Sequence, residues 1–357
     1  MGSQDEQQRG RVLSLSQAIG VVIVVIAGLS MGSGGWPLKV IRRLKMEHWL
    51  FVYVTVGLVI IPWTATLFFC PHSLEVLGRI DAALLIRSNL FAMGWGVANV
   101  LCAICCVRIG FALTGGILGG LGLSLGVTVP MIFKASGLFR SAPDIWSPAG
   151  RVVLVGTGLV LIAVWLVAVA GLGRERSLAK QQQGSSGLAG GLVMSAIAGV
   201  LSAGPVFAFA YSQGPILAEL MRAGASETAA GFAVWAVGMP AGVLVNLGYA
   251  AYLMTRNGSW GCFRSGGREI ILSAVTGIQF GMAFVLLGNG SLRLGVLGAS
   301  VGWGMYQAMQ VMGGQGVAIA WGEWRGVDRS SRLKMATAIA LLLAGSAVLA
   351  WGNARNG

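Results

Sequence analysis

Residues 152–173 read VVLVGTGLVLIAVWLVAVAGLG, a stretch of 22 residues without a single charged side chain. A helix of this length spans the hydrocarbon core of a bilayer, which is about 30 Å thick. Because lipid offers no partners to backbone N–H and C=O groups, the run must satisfy them internally as a helix. A transmembrane β-barrel would instead show alternating segments of about 10 residues. The stretch therefore predicts a membrane-spanning helix.

Similar apolar runs recur along the whole chain of 357 residues. The composition is 55% hydrophobic and only 10% charged, with a mean hydropathy of +0.77. Soluble domains carry about 25% charged residues, so this composition excludes a soluble globular protein. We predict an all-α membrane protein with ten transmembrane helices, at residues 14–35, 49–69, 84–106, 109–133, 151–172, 188–211, 229–254, 269–287, 294–320 and 333–351.

The chain divides into two similar halves. Ser30-Met-Gly32 in the first span matches Ser202-Ala-Gly204 in the sixth, and Arg108-Ile-Gly110 matches Arg293-Leu-Gly295. Because each half has five spans, the second half would enter the membrane upside down relative to the first. Such inverted five-helix repeats are typical of secondary transporters. The predicted units are an N-terminal repeat (1–173), a Gln/Ser/Gly-rich linker loop (174–187) and a C-terminal repeat (188–357).

The chain is strongly basic, with 25 Lys and Arg against 12 Asp and Glu. The cations lie between the apolar runs, where lipid headgroups attract them, so we interpret them as loop residues facing the lipid bilayer and predict no nucleic-acid partner. Of the 25, 15 follow odd-numbered spans. This bias predicts that those loops are cytoplasmic and that both termini lie outside.

No constellation of residues indicates catalysis. Cys102 and Cys105 have the spacing of a redox or metal pair, but no His or carboxylate stands nearby to complete a site. We found no nucleophile, acid–base pair or metal cluster. We therefore predict no enzyme activity, no catalytic residue, no metal and no cofactor.

Polar and aromatic side chains inside the spans are the candidate binding residues. Amides can donate to and accept from hydroxyl groups, and an indole can cover the apolar face of a sugar ring. For each residue, a hydrogen bond between helices or an anchor at the interface remains the alternative interpretation. The predicted substrate site comprises Trp95, Asn99, Ser202, Phe207, Asn246, Gln279, Trp303, Tyr306, Gln307 and Gln310.

Two further features concern mechanism. The acidic residues lie near span ends, which speaks against a proton-carrying carboxylate in mid-membrane. Pro205 follows Ser202-Ala-Gly204 directly, and this predicts an unwound point in the sixth span beside the site.

Several motifs in order resemble the L-rhamnose–proton symporter family of the drug/metabolite transporter superfamily. They include Pro37-Leu-Lys39, Trp95-Gly-Val-Ala-Asn99, Asn246-Leu-Gly248 and Glu323-Trp324. The resemblance implies ten helices in two inverted repeats around a central cavity. It also implies uptake of L-rhamnose, sometimes L-lyxose, with a coupling proton across the bacterial inner membrane. After Asn99 the chain departs from the family pattern, which is more polar there.

Two other functions stay open. One is an exporter or facilitator of another small metabolite, as in other branches of the superfamily. The other is a membrane scaffold without transport activity, which the short loops disfavour because they offer little surface to partners. The sequence makes no prediction about oligomeric state.

Overall fold

A computed structural model describes residues 15–109, 111–133, 143–178, 188–295 and 298–354, and the longer regular elements in these ranges are all helices. We number them α1 Leu15–Ser33, α2 Met46–Phe69, α3 Ser73–Gly78, α4 Ala82–Ile109, α5 Phe111–Ile132, α6 Pro148–Leu178, α7 Leu188–Leu201, α8 Gly204–Arg222, α9 Glu227–Gly238, α10 Pro240–Arg256, α11 Cys262–Ser265, α12 Gly267–Arg293, α13 Trp303–Ala320 and α14 Arg329–Ala354. Of the predicted linker, residues 174–178 complete α6, and the rest lies outside the described residues, as does Gly110.

The prediction of an all-α membrane protein is confirmed. Within the described ranges, eight helical segments are long and apolar enough to span a bilayer, and the bent pair α9–α10 would be a ninth. Helix α13, which covers most of the predicted ninth span, is not among them. Its 18 residues include three glutamines and four glycines, which lower its hydropathy. The glutamines that make α13 a candidate for substrate binding thus also lower its hydropathy.

Prolines and turns interrupt three spans. Between α7 and α8 the helix breaks at Ser202 and Ala203, the predicted unwound point, and α8 then continues to Arg222, beyond the predicted end of the span. Helices α9 and α10 meet at an angle of 56° before Pro240. In α2 a π-helical turn, Thr55–Ile60, precedes Pro62. Proline lacks an N–H donor and clashes with the preceding turn, so each site is a natural bend.

Many of the most extensive helix contacts join the two halves of the chain. Helix α1 packs on α12 and α13, and α7 packs on α4 and α5. Helix α2 contacts α9, α10 and α12, while α4 contacts α8 and α10. The most extensive contact joins α6 to α14.

Glycines set the closest helix crossings. A Cβ added at Gly57 would overlap the backbone of α12 at Gly277, and one at Gly281 would overlap the backbone at Gly57. Helices α4 and α10 approach in the same way, since a Cβ at Gly96 would lie 2.7 Å from the carbonyl oxygen of Gly242. Small residues let helix backbones come together in lipid, where close packing replaces hydrophobic driving force.

The outer surface of the bundle is apolar. Phe68 and Trp165, for example, are 79% and 63% exposed. A water-soluble protein would rarely expose so many large apolar side chains over a continuous surface. The pattern is that of a protein surrounded by hydrocarbon.

Candidate functional site

A small cavity lies between α8, α9, α12 and the start of α13. Its volume is about 30 Å³, and it is lined by Pro205, Val206, Phe209, Trp235, Leu287, Gly288, Ser291 and Trp303. This is room for about one water molecule. Pockets that hold small organic ligands begin at roughly 300 Å³. The cavity in this structure is therefore too small to hold a sugar.

The cavity walls combine aromatic faces with polar groups. Phe209 stacks on Trp235, with ring centroids 5.1 Å apart, and Trp303 lies across the cavity. Trp235 and Ser291 are only 4% and 5% exposed. Both side chains line the cavity, where an indole N–H can donate a hydrogen bond and a hydroxyl group can donate or accept one.

Two glycines of α5 determine the position of Trp303. The indole N–H of Trp303 donates a hydrogen bond to the carbonyl oxygen of Gly122 at 3.3 Å. A Cβ at Gly126 would overlap the indole ring, so only glycine leaves space for it. On its other side Trp303 stacks on the fully buried Tyr306, with centroids 5.5 Å apart. The indole is thus fixed by both its polar and its apolar contacts.

Ser202 and Gln307 lie over the same turn of α5. A Cβ at Gly122 would overlap the Ser202 hydroxyl and would lie 3.8 Å from the amide nitrogen of Gln307. The Ser202 hydroxyl donates to the Gly199 carbonyl at 2.6 Å, whereas the Gln307 amide has no hydrogen bond to another described residue. Of the ten predicted residues, the structure therefore brings Ser202, Trp303, Tyr306 and Gln307 together.

Asn99 and Asn246 form a separate pair. The Asn99 amide donates to the Asn246 side-chain oxygen at 3.2 Å, and the Asn246 amide donates to the Gly242 carbonyl at 2.8 Å. Asn246 is completely buried. The bond from Asn99 to Asn246 joins α4 to α10, which agrees with the alternative interpretation of a hydrogen bond between helices.

Gln279 fastens the end of α1. Its amide donates to the Ser30 carbonyl at 2.6 Å and to the Ser33 hydroxyl at 2.8 Å, and its oxygen accepts from the Trp36 indole at 3.3 Å. All its polar groups are therefore occupied by protein partners. In this conformation Gln279 positions neighbouring segments.

The remaining three predicted residues have mostly apolar or backbone contacts. Trp95 stacks on Phe280, with centroids 6.4 Å apart, and Phe207 packs on Phe91 at 5.2 Å. Gln310 is half-buried, and its backbone lies against Gly32 of α1 so closely that a Cβ there would overlap it.

Sequence reasoning left out Trp235 and Ser291, although both line the cavity. In the sequence, Trp235 is one of several tryptophans within the spans, and Ser291 is a single serine near the end of a span. Neither position by itself predicts a binding residue. The adjacent Gly288 offered a hint, because glycine in a helix often marks close approach of another group. A Cβ at Gly288 would lie 3.7 Å from the Trp235 indole nitrogen.

Ionic and polar contacts join the two halves at one end of the bundle. We call it the basic end, defined by the segments 34–45, 257–266 and 321–328. Glu323 pairs with Lys39 and with Arg174, the latter at 2.6 Å, and the Arg174 guanidinium lies 5.7 Å above the Trp324 ring. Glu47 accepts hydrogen bonds from Asn257 at 3.2 Å and Ser259 at 3.4 Å. These contacts hold the basic end together.

The sequence of the chain is similar to that of a known family of transporters. A model of the L-rhamnose-proton symport protein family matches residues 13–354, nearly the entire chain. The chain belongs to this family. The resemblance inferred from the motifs is therefore confirmed, and the family is one of transporters rather than enzymes.

Individual relatives agree along most of their length. The L-rhamnose-proton symporter of Yersinia pestis (strain Pestoides F) is 22% identical over 316 residues, which are 86% of this chain and 90% of the relative. The symporter of Yersinia pseudotuberculosis serotype O:1b (strain IP 31758) gives the same values. That of Yersinia pestis bv. Antiqua (strain Antiqua) is 24% identical over 233 residues, 65% of this chain and 66% of the relative. The chain is a divergent member of its family.

Proposed function

We propose that this protein takes up L-rhamnose, or a closely related deoxysugar, together with a proton by alternating access. The observation that carries the proposal is the cavity between Trp235 and Trp303, which combines aromatic faces with the Ser291 hydroxyl inside a transporter of this family. No charged residue lines the cavity, and this favours a neutral substrate.

The cavity chemistry suits a deoxysugar in particular. The indole faces and Phe209 can cover the C–H face and the methyl group of such a ring. The Ser291 hydroxyl and the Trp235 N–H can bond to sugar hydroxyls, and the Gln307 amide can both donate and accept. Unpaired polar groups at a buried site discriminate strongly against ligands that cannot satisfy them.

For the architecture we propose ten membrane helices in two inverted repeats, 1–173 and 188–357, joined by the linker 174–187. In this arrangement α7–α8 and α9–α10 each form one interrupted span, and α13 is the ninth. Equal sequence offsets support it: Gly57 and Gly242 are 185 residues apart, and so are Gly96 and Gly281. These four glycines form the two equivalent close crossings, α2–α12 and α4–α10.

The contact between α6 and α14 supports the same symmetry. Gly156 packs against Leu349, and Gly345 packs against Val160. Gly156 and Gly345 are 189 residues apart, as are Val160 and Leu349. The two contacts are therefore equivalent: each joins a glycine of one helix to the larger residue of the other. Such a self-complementary interface is typical of a twofold axis.

Alternating access requires contacts that form and break at the two ends. At the basic end, Glu323 with Lys39 and Arg174 links the two repeats, so these ion pairs must separate when the substrate passes there. Beyond the cavity, at the opposite end, α3 packs on α8 through apolar residues such as Val76 and Ile216. We propose that the basic end faces the cytoplasm of a bacterial inner membrane, in line with its excess of Lys and Arg.

Uptake into proteoliposomes tests the function. Vesicles containing the protein are given radiolabelled L-rhamnose with the outside either more acidic than the inside or at equal pH. We expect accumulation that the pH gradient enhances and that unlabelled L-rhamnose or L-lyxose suppresses more than D-glucose does. Equal uptake with and without the gradient would contradict proton coupling. No uptake of any sugar, while a control carrier works, would contradict the proposed substrate class.

A further inference from the structure

A group of cations gathers at one part of the basic end. We call it the basic platform, and its six members, all exposed, are Arg42, Arg43, Lys45, Arg256, Arg264 and Arg268. Three come from the segment between α1 and α2, one lies in the short helix α11, and two lie on either side of that helix. The platform therefore includes residues from both proposed repeats.

Glu269 holds the two sides of the basic platform together. Its carboxylate accepts backbone N–H groups from Arg42 at 2.9 Å, Arg43 at 2.9 Å and Leu44 at 2.7 Å. The Arg43 guanidinium adds a hydrogen bond to the Ser265 carbonyl at 2.7 Å. The carboxylate therefore bonds to the backbone N–H groups of residues 42–44.

The cationic side chains of the platform are largely unneutralised. The side chains of four members make no hydrogen bond or ion pair with a residue in the described part of the chain: Arg42, Arg256, Arg264 and Arg268. Exposed cations at this density repel one another. An anion bound among them would relieve that repulsion, and a phosphate offers several oxygens to guanidinium groups.

Aromatic side chains next to the platform fix its depth in the membrane. Trp260 and Tyr252 are 44% and 55% exposed, and the rings of Phe51 and Trp260 are 6.1 Å apart. Exposed tryptophan and tyrosine concentrate at the level of the lipid headgroups. The spans that begin at Met46 and Gly267 leave the platform at this level. The phosphates it meets there belong to lipids.

We infer that the basic platform binds the headgroup of an anionic phospholipid, and that the bound lipid strengthens the contact between the segments around residues 42–45 and 256–268. A lipid here bridges both repeats where Glu269 already joins them. It thereby stabilises the conformation in which the basic end is closed. This inference does not depend on the identity of the transported sugar.

Thermal unfolding of the purified full-length protein in detergent tests the inference. Phosphatidylglycerol, phosphatidylcholine or inorganic phosphate is titrated in, and the melting temperature is followed. We expect phosphatidylglycerol to raise it by several degrees, with little effect from the other two. An equal rise with phosphatidylcholine would overturn the inference, and so would a rise produced fully by inorganic phosphate, which would indicate a free-anion site.

Paired variants locate the effect. In the double variant Arg264→Gln and Arg268→Gln, the phosphatidylglycerol concentration that gives half of the rise in melting temperature should be about tenfold higher. Arg329→Gln combined with Arg332→Gln removes the same charge at the same end but outside the platform, and should leave the response unchanged. An equal loss in both double variants would show a response to overall charge alone and would overturn the assigned site. Native mass spectrometry of retained lipid gives an independent readout for variants with altered stability.

Discussion

Helices α5 and α13 occupy equivalent places in the two proposed repeats but differ in chemistry. At an offset of 185 residues, Gly122 corresponds to Gln307, and Leu118 corresponds to Trp303. Helix α13 contributes the polar and aromatic side chains, and α5 contributes the glycines on which they lie. One proposed repeat presents a glycine surface, while its counterpart carries the side chains that we propose bind the substrate. The comparison teaches that shared backbone packing does not require a symmetric site.

The largest expected effect on sugar uptake comes from adding a side chain to the glycine surface of α5. In Gly126→Val the side chain would overlap the Trp303 indole, and overpacking of this kind costs about 1–3 kcal/mol. We expect initial uptake to fall up to about 100-fold, which corresponds to the upper end of that range. The measurement is sugar uptake normalised to inserted protein. The control is Gly115→Val on the same helix, where a Cβ meets nothing within 4 Å; equal losses would refute the role of Gly126.

The next largest effect, on the KM for the sugar, comes from removing the Trp303 indole that lies on these glycines. Trp303→Ala eliminates an aromatic wall and should raise the KM for the sugar roughly tenfold or more, in line with about 0.5–1.5 kcal/mol for an aromatic contact in addition to its buried area. Trp303→Phe keeps the ring but loses the bond to Gly122, so its KM should be intermediate. Trp165→Ala, at an exposed position on α6, should leave the KM unchanged.

A smaller effect distinguishes the two glutamines of α13. Gln307 lies near Gly122, whereas Gln310 lies where α13 crosses α1. One hydrogen bond contributes about 0.5–1.5 kcal/mol, so Gln307→Ala should raise the KM about three- to tenfold. Gln310→Ala should change it by less. The reverse order in sugar-binding titrations would place the site further along α13 than we propose.

The sequence predicted the helical membrane fold because hydropathy over 20 residues depends only on local composition. It also predicted the break before Pro205, since proline acts on its own helix. It could not predict the cavity. Trp235 and Ser291 are 56 residues apart and meet only through the packing of α9 on α12. Nor could it separate Gln307 from Gln279, because both are amides at membrane depth and only tertiary contacts show which one has protein partners.

Asn99→Ala tests whether a predicted site residue is structural instead. It leaves the Asn246 oxygen without its donor, and hydrogen bonds between membrane helices contribute about 0.6 kcal/mol on average. We expect a slightly lower melting temperature and an unchanged KM. A clear rise in KM in a stably folded variant would indicate that Asn99 binds the substrate.

The smallest effect lies at the start of α14, away from both helices of the comparison. The Ser331 N–H donates to Asp328, as does the Ser177 hydroxyl, and these bonds lower the pKa of Asp328 from 3.8 to about 2. Because the folded state favours the carboxylate, its stabilisation is present above pH 3.8 and disappears as pH falls through about 2. Asp328→Asn should thus lower the melting temperature slightly at neutral pH, with the difference closing in acid. A difference independent of pH would contradict the role of the charge.

The crossing of α6 and α14, where Gly156 and Gly345 each accommodate the partner helix, has a consequence for ancestry. An interface that is identical when its two sides are exchanged can be built from a single type of subunit. A half-length ancestor inserted into the membrane in both directions would have had all the surfaces needed to assemble with itself. Fusion of two such copies would allow each to change separately, so that a substrate site could develop on one side of the molecule alone.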